Sequence, residues 1–354
     1  MRLLFVEYAF SHQGSAQDIY GYVKAAQALG HEVVLHGPPA ATRTFPCSLD
    51  VEAVDAVVFI LEWGIFLHYG GPLHLVRLLS HVPRERRVVI DCDGNYNAAI
   101  SVVGDANHAD AAASEHRMRV YDSLTDKIYQ PTLHPLRPNV GTFFFHAYDP
   151  DWEVPLDLGQ KDFGMVYVGN VWFRWHPMRG LLKALEPIRE RVGRIALVGH
   201  GWDRRAWWAA PNVPRDSYYS QPAYLRRLGV EVQPPCPFYE AIPWMSRAAF
   251  SPVIYRPLFD RLQLVTCRTF ETPAAGTIPV YGQGQSPSFL EAVYGRAARE
   301  LTLGTKTADA TAKIRDVLER PEYYATIVRG LRGHLAAHHS YTVRFQELLR
   351  IVQR

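Results

Sequence analysis

Residues 91–95 read Asp-Cys-Asp-Gly-Asn and follow a short apolar run, so two carboxylates stand two positions apart at an expected strand end. A carboxylate placed there can take the proton from an attacking hydroxyl, which makes Asp91 and Asp93 candidate general bases. Turn formation by Asp-Gly is the competing reading. His12, in the first strand–helix loop, is the rival base. Glu62, after the third apolar run, is another. Cations gather in the second half of the chain, where Arg256 and Arg261 bracket one loop. Guanidinium forks bind a diphosphate in a bidentate manner and stabilise it as it departs. Arg256 is assigned to that catalytic role and Arg261 to holding the diphosphate. Residues 170–179, Asn-Val-Trp-Phe-Arg-Trp-His-Pro-Met-Arg, add Arg174 and Arg179 as phosphate contacts, with aromatic faces that stack on sugars or bases. Trp172 and Trp175 suit core anchoring equally well. Trp202, Trp207 and Trp208 read as packing.

These side chains need elements to aim them. Apolar runs at 2–8, 31–35, 56–61 and 87–91 alternate with helical patterns at 18–29 and 72–80. Strand, helix, strand at this spacing gives a parallel sheet covered on both faces. After a connector at 149–155 the pattern restarts. Strands are predicted at 164–168, 194–198, 230–232, 249–253 and 278–281, with helices at 177–191 and 238–245 and one starting near 268. The tail from 308 is helical. The expected fold is α/β, with two Rossmann-like halves and a ligand cleft beyond the carboxyl ends of their strands.

The chain has 354 residues and a net charge of +3, which is too weak a balance to argue for a nucleic-acid surface. No apolar run reaches the ~18 residues of a membrane span, and the N-terminus reads as a strand instead of a signal peptide. Four scattered cysteines suit a reducing compartment, so a cytoplasmic location is expected, with peripheral membrane association left open.

Residues 266–280, Thr-Cys-Arg-Thr-Phe-Glu-Thr-Pro-Ala-Ala-Gly-Thr-Ile-Pro-Val, resemble the F-E-x-x-A-x-G-x-x-x-V segment of GT-B glycosyltransferases, especially the group-1 and CgeB-like branch. Tyr167-Val168-Gly169-Asn170 resembles that family's strand end, and the segment around Gly199-His200-Gly201-Trp202 resembles its G-x-G-W. Leu29-Gly30-His31-Glu32-Val33 is similar to its N-terminal opening. The resemblance implies an acceptor domain at 1–150, a nucleotide-sugar domain at 160–335, and a final helix at 336–354 that packs back on the first domain. It implies that Glu271 accepts hydrogen bonds from the donor ribose. Amides at the start of its helix, with Thr269 in the first turn, would meet the pyrophosphate. Gly169, Asn170, Arg174 and Gly199 would line the donor site from the strand ends, and Phe238 would lie in the loop that cradles the base. Many retaining members carry a glutamate where this chain has Gln263, which puts the retaining assignment in doubt. The family works without an essential bound metal, so no metal is assigned to Asp91 and Asp93, to Asp149 and Asp151, or to the Asp105–His108 run. No cofactor beyond the nucleotide-sugar substrate is expected. The acceptor is a glycan, a lipid or a small molecule. The alternatives are a nucleotide-sugar epimerase and a catalytically silent sugar-nucleotide-binding protein.

Overall fold

Short runs of β-branched and aromatic residues, each followed by an amphipathic segment, set the architecture. The structure, a computed structural model, describes residues 1–7, 14–36, 46–61, 80–97, 111–204, 219–282 and 284–354. His12, Glu62, Trp207, Trp208 and Asp105–His108 lie outside the described residues, as does nearly all of the helix expected at 72–80.

The first sheet has seven parallel strands: β1 (Arg2–Val6), β2 (Glu32–His36), β3 (Cys47–Ser48), β4 (Ala56–Leu61), β5 (Arg87–Asp91), β6 (Ile128–Gln130) and β7 (Val140–Thr142). Their spatial order is β3-β2-β1-β4-β5-β6-β7. Helix α1 (Gly14–Ala28) follows β1, and α2 (Ala111–Leu124) precedes β6. The central strands are buried along their length, and each face of the sheet has its own apolar cluster.

The second sheet has five parallel strands, β8 (Phe163–Val168), β9 (Ile195–Val198), β10 (Val230–Gln233), β11 (Ala248–Val253) and β12 (Ile278–Tyr281), in the order β10-β9-β8-β11-β12. Around it lie α3 (Trp175–Leu185), α4 (Arg189–Val192), α5 (Pro222–Arg227), α6 (Ala241–Ser246), α7 (Pro257–Leu262), α8 (Cys267–Ala274), α9 (Pro287–Tyr294), α10 (Thr307–Glu319) and α11 (Pro321–His339). The single helix expected at 177–191 is interrupted by a 3-10 turn at Glu186–Ile188, because Pro187 lacks the amide and fits only the first turn of a new segment. The last helix, α12 (Tyr341–Gln353), leaves the second domain. It buries Tyr341, Phe345, Leu348, Ile351 and Val352 in the core of the first.

Candidate active site between the two sheets

The carboxyl ends of β8, β9 and β11 open into a cavity of about 510 Å³ that both domains line. The second domain supplies most of the wall: Tyr167–Asn170 at the end of β8, Val198–His200 at the end of β9, Ile254–Arg256 after β11, and Thr266–Arg268 at the start of α8. The first domain contributes Cys92, Asp93 and His146.

Two strand ends meet closely here. A Cβ on Gly199 would lie 2.3 Å from the Gly169 carbonyl oxygen, and Gly199 has φ 149, so only glycine fits. The Trp202 indole donates to that same carbonyl at 2.8 Å, and Asn170 Oδ1 accepts from the His200 amide at 2.9 Å. Next to them Phe173, almost fully buried, takes φ 58. A left-handed bulky residue costs about 1–3 kcal/mol, and such strain clusters where a loop is fixed for function. Here it turns Trp172 and Arg174 into the wall, with the Trp172 ring parallel to His200 at 3°. Trp202 and Trp175 are fully buried packing residues.

Three guanidinium groups line the cavity: Arg174, Arg256 and Arg268. Burial pushes the Arg174 pKa down, and neighbouring arginines push the same way. A site that crowds like charges and desolvates them is built for an anion. Arg268 was not foreseen. Its Nε donates to the Val168 carbonyl at 2.8 Å, and its other end pairs with Glu271. Arg256 lies over the Phe259 ring at 4.0 Å and donates to Asp93 Oδ1 at 2.8 Å, an ion pair that crosses the domain boundary.

Helix α8 aims its N-terminus at the same space. Thr266 is the N-cap, and a reciprocal pair of hydrogen bonds with Thr269 closes a capping box. Thr269 therefore serves the helix: it is fully buried, and its hydroxyl also bonds the Tyr255 hydroxyl at 2.8 Å. Glu271 sits more than a turn inside α8, not at its start. Its carboxylate is buried behind Arg268, which pairs with Oε2.

Other expectations are corrected. Arg261 is on the exposed side of α7 and does not line the cavity, because α7 starts at Pro257 and turns that residue outward. Phe238 belongs to a separate apolar pocket, where it packs against Tyr20. Gln263 caps α7 in the left-handed region, and its amide is tied to the Gly284 carbonyl and the Ser286 amide. Asp91 is fully buried and accepts from the Asn95 and Tyr96 amides, the Tyr121 hydroxyl and Gln130 Nε2 at 2.7–3.1 Å. Burial raises its pKa to about 6 against the opposing pull of those donors. With four donors around it, Asp91 organises the 91–97 turn and is closed to substrate. Asp93 does reach the cavity, but in an ion pair. Asp149 and Asp151 both bind Lys24.

Residues 179–350 match the family described as glycosyl transferase-like. No curated protein matches the chain. Among solved structures, it is similar to an α-glucosyltransferase in complex with UDP and a 13-mer DNA (TM-score 0.63, 15% identity, 100% and 99% of the two chains). It is also similar to T4 phage BGT in complex with UDP and Mn2+ (0.59, 11%, 100% and 100%) and to AviGT4, a glycosyltransferase involved in avilamycin A biosynthesis (0.56, 15%, 100% and 97%). The chain has the GT-B fold, and its C-terminal half is a glycosyl transferase-like domain. The α/β fold with two facing Rossmann-like sheets is thus as expected, and so is the glycosyltransferase assignment. No helix among the described residues is long and apolar enough to cross a membrane.

Proposed function

We propose that the chain moves a hexosyl group from a nucleoside-diphosphate sugar, held by the second domain, to a hydroxyl of an acceptor presented by the first. The carrying observation is the convergence of Arg174, Arg256 and Arg268 with the α8 amides and two glycine strand ends in one interdomain cavity. When the bond between sugar and diphosphate breaks, negative charge grows on the departing oxygen. Fixed guanidinium groups in a desolvated cleft stabilise that charge without reorganising. Glu271 acts on the donor through Arg268, whose fork it holds. In this reading the three cations make a divalent metal unnecessary.

UDP and UDP-glucose are the first donors to try, because structural neighbours hold them. DNA appears in the α-glucosyltransferase complex. The net charge of +3 favours a glycan, lipid or small-molecule acceptor for this chain. The test is a thermal-shift series with UDP, UDP-glucose and other nucleotide-sugars. A ligand at about 100 times its Kd stabilises by about 2.7 kcal/mol. Absence of stabilisation by every nucleotide-sugar refutes the donor site.

A further inference from the structure

The first domain's share of the cavity wall includes a histidine that the donor reading leaves without a task. His146 is 6% exposed, and its Nδ1 lies 2.7 Å from Oδ2 of Asp18, which is 2% exposed. The other Asp18 oxygen accepts from the Tyr341 hydroxyl at 2.7 Å. The three side chains come from α1, the segment after β7 and α12, so their meeting is a product of the tertiary fold. Each is held in place. The Tyr22 hydroxyl donates to the Phe145 carbonyl at 2.8 Å, one residue before the histidine. Gly21 lets α12 approach α1, since a Cβ there would lie 2.5 Å from the Tyr341 ring.

A buried carboxylate on one imidazole nitrogen fixes the tautomer and stabilises the cation that forms when the other nitrogen gains a proton. We propose that His146 is the general base for the acceptor, with Asp18 and Tyr341 as positioning residues; this rests on the donor reading above. In the transfer, Nε2 takes the proton of the acceptor hydroxyl. The acceptor oxygen bonds to the anomeric carbon as the bond from that carbon to the diphosphate oxygen breaks. The electron pair leaves on the nucleoside diphosphate, which faces Arg174, Arg256 and Arg268. The imidazolium is held against the ionised Asp18 and later gives its proton to water. Asp93 is then a partner of Arg256 and not the base.

The test uses the full chain with UDP-glucose as donor and water as acceptor, read as UDP release. His146→Asn keeps a donor near the Nδ1 position and removes Nε2. UDP release should fall by about 10²–10⁴-fold while the Kd for UDP stays within twofold. Asp18→Asn should lower release in the same way, with UDP affinity kept. A folded His146→Asn protein that releases UDP at the wild-type rate overturns the proposal. Histidine ring NMR gives a readout independent of turnover. The His146 signals, assigned by their loss in His146→Asn, should move when UDP is added and lose the hydrogen-bonded Nδ1 proton in Asp18→Asn. Unmoved signals under saturating UDP also overturn the proposal. Failure of UDP to bind the wild type is a different result: it sinks the donor site and the base with it.

Discussion

The ion pair between Arg256 and Asp93 sets up a counterintuitive expectation: removing the acid should tighten donor binding. The two groups are 2.8 Å apart, each side chain is 16% exposed, and they come from opposite domains. A charge-assisted hydrogen bond in such a setting nets about 1.5–3 kcal/mol. A diphosphate that recruits Arg256 must displace or share this contact, and it must also approach the Asp93 charge. Asp93→Asn keeps the shape and a neutral acceptor, which retains about 1 kcal/mol of the bond. The remainder, about 0.5–2 kcal/mol, is returned to the ligand as a Kd for UDP that is lower by roughly tenfold at mid-range. Calorimetric titration at fixed ionic strength measures it. Arg256→Ala alone should weaken UDP by about tenfold or more. In the Arg256→Ala background most of the Asp93→Asn gain should vanish, since both act through one contact. An unchanged Kd in Asp93→Asn, or a full tenfold gain without Arg256, refutes the reasoning.

Asp91→Asn should lower stability by about 2–3 kcal/mol, because the new amide NH₂ faces donors where the carboxylate accepted four hydrogen bonds; denaturant melts check this, with UDP affinity unchanged. His339 is stacked on Phe144, bonded to Arg344, and held neutral with a pKa of about 3 by burial and then by Arg344, His334 and His338. Its folded pKa lies below the unfolded value, so the unfolded chain binds the extra proton and this site loses up to about 1.4 kcal/mol per pH unit below ~6.5. Asp91 and Asp260, both raised to about 6 mainly by burial, oppose that trend between about pH 4 and 6. The clean observable is therefore the difference from His339→Gln, whose penalty in melting experiments at pH 7.5 should shrink as the pH falls to 5.5. UDP release from UDP-glucose should persist in excess EDTA; loss of activity that manganese restores would overturn the metal-free proposal.

The double α/β pattern was readable because each buried strand is a short apolar run closed by a turn. The elements that escaped are those without that signature. β6 is Ile-Tyr-Gln, β7 is Val-Gly-Thr and β3 has only Cys47 and Ser48, and such pieces are held by their neighbours instead of by their own pattern. The loop 170–174 and the glycine strand ends were legible as a group, because they follow strands that must open on one edge of the sheet. Arg268 was hidden by its position. Only once Thr266 is known as the cap does residue 268 fall in the first turn, facing the cavity. Arg261 erred for the matching reason: whether an arginine near a loop faces in or out is decided by a helix start at Pro257 that sequence alone did not fix.

His146 shows a deeper limit, and with it the division of labour between the domains. It lies in Phe-Phe-Phe-His-Ala-Tyr, where a histidine reads as one more core residue. What distinguishes it is Asp18, 128 positions earlier, and Tyr341, 323 positions from that aspartate. Sequence spacing carries no trace of either contact. The electrostatics nonetheless make the placement intelligible. The second domain crowds three cations around the strand ends, which suits a diphosphate and repels a protonated base. A histidine that must gain a proton beside those cations needs its own buried anion. Asp18 provides that anion, and it is fixed by a tyrosine on α12, which crosses back from the second domain.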